Sequence, residues 1–138
     1  MDRAKPLASA DEVLGYIGFI RNKRQEYLVC LSLDSGGHLI TRRTVTIGLL
    51  NVSLAHPREV FAGPLKDRAA AVIIAHNHPS GIAEPSRDDI KTTQQLVAAS
   101  QLLGISLQDH VIVTKASYFS FRRNGLLLND TKASARMW

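Results

Sequence analysis

The residues "AAAVIIAHNHPSGIAEPSRDD", positions 69–89, decide how this chain folds. The first part is a short run of small and β-branched apolar residues, the composition of a central strand buried on both faces. From Ala75 onward, fifteen positions hold two histidines, two prolines, one glycine and three carboxylates. Pro79 and Gly81 are turn formers. Ser86 and Asp89 have the spacing of a helix cap, with the acid near the positive end of the helix. The stretch reads as a buried strand, a tight loop and a helix start.

Side chains alternate faces along an extended chain, so His76 and His78 point the same way. Asp89, eleven residues beyond His78, falls in the first turn of the following helix and can return beside them. Two imidazoles and one carboxylate leave one position of a tetrahedral ion open, as catalytic zinc requires. Each piece has an ordinary reading of its own. An isolated H-x-H occurs in surface loops, and Ser86 with Asp89 can be a cap and nothing more. Their combination directly after a buried apolar strand points to a metal. The literal string "HNH" at 76–78 is a false lead, because the nucleases of that name draw their letters from dispersed positions.

Outward from this centre, "SADEVLGYIGFIRNKR" opens with a capping signature, Ser9 and Glu12. It predicts a helix over about 10–20, weakened by Gly15 and Gly18. "EYLVCLSLD" (26–34) and "HLITRRTVTIG" (38–48) are strand-like and joined by a glycine turn, which predicts an antiparallel hairpin. "LLNVSLAHPREVFAGPLKDRA" (49–69) reads as a loop and then a helix. Pro57 lies at its first turn, and Pro64 should kink it or end it early. A long helix over about 86–103 should stop at Gly104. "SLQDHVIVT" (106–114) and "ASYFSFRRNG" (116–125) are further strands, and the end from Leu126 is fraying or weakly helical. The order α, β, β, α, β, α, β, β predicts a mixed three-layer α/β domain.

Composition sets the outer bounds. A chain of 138 residues, 45% hydrophobic and 21% charged, is one domain with a core of its own. No apolar run approaches the roughly 18 residues of a membrane span, and the N-terminus lacks the pattern of a signal peptide. A cytoplasmic location is expected. The lone Cys30 cannot form an internal disulfide and reads as a buried core residue. It also excludes zinc sites of the Cys₄ or Cys₂His₂ kind. The net charge of +5 and pI near 9.7 indicate nucleic acid only weakly, because the basic residues are scattered rather than aligned.

One resemblance ties these features together. H-x-H, seven residues, Ser, two residues, Asp is the JAMM motif of the JAB/MPN metalloprotease fold, matched here by His76, His78, Ser86 and Asp89. The surrounding "HPREVF…AAAVIIAHNHPSG…EPSRDD…LGI…DHVIV…YFSF…GLL" closely resembles the bacterial RadC family, from about residue 8 to 128. The resemblance implies a JAB/MPN architecture, a mixed sheet flanked by helices in a cytidine-deaminase-like three-layer arrangement. The domain would cover 9–128, between a flexible lead-in (1–8) and a C-terminal tail (129–138). The resemblance also implies Zn²⁺ held by His76, His78 and Asp89, with Glu26 as general base and Ser86 as donor to the oxyanion. The reaction implied is hydrolysis of a peptide or isopeptide bond in an unknown protein or peptide substrate.

RadC proteins commonly carry a DNA-binding helix-hairpin-helix segment ahead of this domain. No such segment is expected in the residues before the first strand, so the likeness is to the C-terminal domain only, and the "DNA repair" label is expected to transfer poorly. Three functions remain open: a zinc-dependent peptidase or isopeptidase, a metal-dependent enzyme or binding protein acting on DNA, and a non-catalytic JAB scaffold. Among the other polar residues, His56 and His110 are expected in structural hydrogen bonds, and Asn77 should face away from the metal. Asp109 is a candidate for orienting a ligand, and His38 has no assigned role. Leu126–Leu128 and Trp138 could pack on the domain or on a neighbour, which leaves the oligomeric state open.

Overall fold

A computed structural model describes residues 6–7 and 10–127. The chain forms α1 (Ala10–Ile17), a 3₁₀ turn (Gly18–Ile20), β1 (Tyr27–Leu33), β2 (Leu39–Ile47), α2 (Pro57–Asp67), β3 (Ala71–Asn77), α3 (Arg87–Leu103), β4 (Ser106–Val113) and β5 (Tyr118–Ser120). The five strands make one sheet in the order β2-β1-β3-β4-β5. The β3–β4 pair is parallel, with α3 as its crossover, and the other pairs are antiparallel. This is the mixed α/β arrangement anticipated from the order of elements.

Period-two alternation divides the core between the two faces of the sheet. Leu28, Cys30, Val72, Ile74 and Ile112 pack against α2 and α3 through Val60, Phe61, Leu96 and Val97. Val29, Leu31, Ile73, Ala75 and Val111 pack on the opposite face against Val13 and Ile17 of α1 and Ile20. β3 is buried along its whole length, because it lies mid-sheet between both helical layers. Leu7 joins the second cluster, and its N–H bonds to the Gly37 carbonyl at 2.9 Å.

The helix ends follow their local chemistry. α2 starts at Pro57 with His56 as N-cap, the imidazole Nδ1 accepting the Arg58 N–H at 3.0 Å. It does not stop at Pro64 but runs on to Asp67. Pro64 is buried, and the proline's missing N–H forfeits one helical bond without removing the packing that holds the last turn. α3 ends where Gly104 takes φ of +69°, a left-handed turn that glycine adopts without steric cost. The last strand is shorter than "ASYFSFRRNG" suggested: only Tyr118–Ser120 pair with β4, and a series of turns follows. Leu127 is buried in the core. The expected Ser9 cap, most of the lead-in and the tail lie outside the described residues.

Candidate metal centre

The site forms where β3 ends. His76 is on the same face as Val72 and Ile74, which aims its ring at α3. The ring is fully buried. His78, two residues on, lies just past the strand, where its N–H bonds to the Val113 carbonyl at 2.9 Å and keeps the backbone extended. Asp89 is the third residue of α3. Its carboxylate takes the Ser86 N–H at 2.8 Å while the Ser86 hydroxyl takes the Asp89 N–H at 3.1 Å. This reciprocal capping box orients both side chains.

Glu26 arrives from the opposite direction. β1 runs antiparallel to β3 with Leu28 opposite His76, and Glu26 is two residues earlier. Its carboxylate stands 3.9 Å from His76 Nε2.

Four groups thus converge. His76 Nε2 and His78 Nε2 are 3.0 Å apart. The two Asp89 oxygens lie 3.2 Å from His76 Nε2 and 3.0 Å from His78 Nε2. Glu26, His76 and His78 each offer a ligand atom within 4.8 Å of the others, a group that could hold a metal ion.

Hydrogen bonds behind the two histidines decide which nitrogens are free. His78 Nδ1 lies 2.7 Å from the Ile82 carbonyl, so it carries the proton and leaves the Nε2 lone pair facing the site. The chain behind His76 is longer. Thr93 Oγ1 donates to the Asp89 carbonyl at 2.7 Å, so it must accept from His110 Nδ1, 2.6 Å away. His110 Nε2 then accepts from His76 Nδ1 at 2.7 Å, which leaves His76 Nε2 as a lone pair as well. Burial holds the His110 imidazole well below its usual pKa, keeping it neutral in this relay. Phe121 stacks on it with ring centroids 4.5 Å apart.

Two nitrogen lone pairs and a carboxylate therefore surround one point with no donor among them. Such a cluster needs a cation, whether a metal ion or a proton. Electrostatics agree. Burial lowers the His78 pKa, but the bonds to Asp89 and Ile82 outweigh it and hold the imidazole above its usual value. Burial pushes the Asp89 carboxyl up, yet the bonds from His76 and His78 win and keep it far below the usual range. The arrangement stabilises negative charge on Asp89 and positive charge at its centre.

These features coincide with a family. A model of the RadC-like JAB domain matches residues 7–126. The chain belongs to the RadC-like JAB domain family. Among its relatives, a UPF0758 protein of Methanospirillum hungatei is 52% identical over 108 residues, covering 78% of this chain and 48% of the relative. UPF0758 proteins of Protochlamydia amoebophila and Bacillus licheniformis are 46% and 48% identical, over 79% and 80% of this chain and 47% and 50% of their own lengths. The chain spans about half the length of the curated relatives it matches.

Within this JAB domain, the five residues singled out from the motif all border one centre. Glu26, His78, Ser86 and Asp89 line a groove of about 460 Å³ together with Leu49 and Asp88, and the buried His76 lies behind them in contact with His78 and Asp89. Leu49 is 70% exposed at the rim.

The remaining polar residues have defined places. His56 and His110 make structural hydrogen bonds as expected. Asp109 does not touch a metal-site histidine ring: its oxygens take the His110 and Arg122 N–H groups and the Ser120 hydroxyl. It holds the backbone of His110 rather than a ligand. Asn77 points to the opposite sheet face, as alternation requires, and does something the sequence did not reveal. Its Oδ1 accepts the Tyr27 N–H at 2.7 Å and its Nδ2 donates to the Gln25 carbonyl at 2.9 Å. It pins the two neighbours of Glu26 to the end of β3. No helix among the described residues is long and apolar enough to cross a membrane.

Proposed function

We propose that this domain is a zinc-dependent hydrolase of peptide or isopeptide bonds. Zinc would be held by His76, His78 and Asp89, with Glu26 as general base and Ser86 as oxyanion donor. The observation that carries this reading is the convergence of three acceptors on one point, beside a second carboxylate that stands back from them. Ligands about 2.0–2.1 Å from a tetrahedral ion are about 3.3 Å from one another. The contacts of 3.0 to 3.2 Å among His76, His78 and Asp89 suit that spacing. At 3.9 Å from His76, Glu26 lies beyond it, near enough to reach a water at the open position. A thiolate-free set of two imidazoles and a carboxylate is also the donor type of catalytic rather than structural zinc.

The chemistry supplied by a bound zinc ion is a polarised carbonyl and a water acidified from about 15.7 towards about 7. The chain's own groups do the rest. Glu26 accepts a proton from the attacking water and passes it to the leaving amine nitrogen. Ser86 Oγ already accepts from Asp89, so its hydroxyl proton is available to the carbonyl oxygen as charge develops there, a role worth roughly 3 kcal/mol in comparable sites. The capping box thus supports the chemistry as well as the helix.

The test is metal content by mass spectrometry alongside His76→Ala and Asp89→Asn, followed by peptide-library hydrolysis with Glu26→Gln. About one zinc per chain that both ligand variants lose, with turnover lost but zinc kept in Glu26→Gln, is the expected result. Zinc retained by both ligand variants would mean the ion sits elsewhere. Phosphodiester cleavage sensitive to chelation, without peptide cleavage, would favour a nucleic-acid substrate instead.

A further inference from the structure

A second cavity shares a wall with the metal groove. It measures about 290 Å³ and is lined by Arg21, Lys23 and Lys115 beside His78, Pro79 and Ser80. No carboxylate is among its lining residues, and none of the three cations forms an ion pair among the described residues. Like charges around one cavity repel, and no opposite formal charge in the wall offsets them.

The Arg21 guanidinium is held in place, and Lys115 and Lys23 stand beside it. Arg21 follows the 3₁₀ turn and reaches across to the β4–β5 turn, donating from Nε to the Thr114 carbonyl at 2.6 Å and from Nη2 to the Ser117 carbonyl at 3.0 Å. Its guanidinium is fixed before any ligand arrives, so binding there orders little further. Lys115 sits on that same turn, closed by Thr114 N–H to the Ser117 carbonyl at 2.9 Å and by Ser117 N–H to Thr114 Oγ1 at 3.0 Å. Lys23 Nζ lies over the Tyr27 ring, 5.5 Å from its centroid.

The neighbouring groove has the opposite sign. Across His78–Ser80 its walls carry Glu26, Asp88 and Asp89. A polyanion threaded over the metal centre would set phosphates against these carboxylates as well as against the cations. A peptide carrying one acidic group satisfies both sides.

We propose that the cavity bounded by Arg21, Lys23 and Lys115 is a subsite for a carboxylate of the substrate, so that this domain acts on peptides with an acidic residue close to the scissile amide. The peptide-hydrolase reading above supplies the substrate class, but the subsite can be tested without turnover.

The probes are two capped hexapeptides, glycine throughout except for one central position, Glu in one and Gln in the other. Their binding is followed by amide chemical shifts of zinc-loaded and zinc-stripped protein. The acidic peptide should shift the Gly81, Lys115 and Ala116 amides and bind about fivefold or more tightly than its Gln counterpart, as expected from two or three exposed ion pairs. The preference should shrink with added salt, fall markedly in the Lys23→Gln/Lys115→Gln double variant, where Arg21 alone remains, and persist without zinc. Equal binding of the two peptides, or a preference undiminished in the double variant, would overturn the subsite. So would a preference present only with zinc, since the carboxylate would then be reading the metal. Tighter binding of an oligothymidylate at the same amides would reassign the cavity to phosphate. Selective binding without cleavage would leave the subsite standing and count against the hydrolase reading alone.

Discussion

His110 Nε2 lies 2.7 Å from Nδ1 of His76, and His110 Nδ1 lies 2.6 Å from Thr93 Oγ1. Through this contact Asp89 and Thr93 of α3 dictate the tautomer of a histidine on β3. The Asp89 carbonyl commits the Thr93 proton, Thr93 commits His110, and His110 commits His76. The outcome is a free Nε2 aimed at the proposed metal position. Partners behind a ligand of this kind are worth about 10–100-fold in metal affinity.

His110→Phe isolates that contribution, since it keeps an aromatic ring against Phe121 but removes the acceptor for His76 Nδ1. Zinc affinity measured by chelator competition should fall about 10–100-fold. The thermal midpoint of the metal-free protein should fall too, because His76 Nδ1 is left buried without a partner, at about 1–3 kcal/mol. Unchanged zinc affinity would show that the relay does not bear on the metal.

Zinc binding should be proton-linked. The ion needs the neutral imidazole, and Asp89 and the Ile82 carbonyl hold His78 above its usual pKa of 6.5 once burial is overcome. Affinity is therefore flat above the raised pKa and falls as pH drops through it, by about tenfold per unit for one displaced proton. Isothermal titration across pH 5.5–8.5 in buffers of different ionisation enthalpy would count the protons released. Saturating zinc should also raise the unfolding free energy, by about 2.7 kcal/mol at a hundredfold excess over Kd, and Asp89→Asn should abolish most of that gain.

Asn77→Ala should release Glu26 without touching a metal ligand. It leaves the Tyr27 N–H and the Gln25 carbonyl unpaired at the edge of the core, which costs about 1–3 kcal/mol for each group buried. Amide exchange at Tyr27 should accelerate while zinc affinity stays within about threefold. If catalysis depends on Glu26, turnover should fall with the metal still in place. Unchanged exchange at Tyr27 would show that β1 holds Glu26 unaided.

Far from the site, Arg43 of β2 grips Asp67 at the end of α2 with two bonds of 2.6 and 2.7 Å. The guanidinium holds the Asp67 carboxyl at about 2 against an ordinary value of 3.8. Its stabilisation is fully present above the ordinary value and is lost as pH falls from about 4 towards 2. The pair is partly solvated, so the contribution is at most about 1 kcal/mol. Acid denaturation of Asp67→Asn should show a shallower loss of stability in that window and little change from wild type below it. Gly63→Ala should weaken the same pair, because an added Cβ would meet the Arg43 guanidinium.

Much of this protein was legible in short windows. The apolar run before His76 marked the central strand, its length and its double burial. Ser86, Asp89 and Gly104 marked the ends of α3, and His56 with Pro57 marked the start of α2. All of these are local: a repeat of two or 3.6 residues, a cap or a turn carries them without reference to distant chain. Pro64 misled because the packing of a helix outweighs one lost backbone bond. β5 ended pairing at Ser120, earlier than its composition indicated, because the backbone closes on itself there, the Asn124 and Leu126 N–H groups turning back to the Ser120 and Phe121 carbonyls.

The same division applies to the site. The sequence by itself determined that His76 and His78 share a face, that Asp89 opens the next helix, and that Ser86 caps it. Glu26 was visible only through the resemblance, because nothing near it distinguishes it from a surface carboxylate at a strand start. Tertiary structure decided the rest. The antiparallel register that sets Leu28 against His76 brings Glu26 to the centre, with Asn77 clamping its neighbours. A register shift leaves Gln108 without a partner, so that His110 pairs with Ile74 instead of Ala75. That single residue turns His110 towards α3 and His76 rather than towards α1. The bridge from Arg21 to Thr114 and Ser117 spans more than ninety residues of chain and builds the cationic cavity. Periodicity tells each strand which side chains share a face. Only the joint burial of both sheet faces sets how distant strands align, and that alignment is what assembles the site.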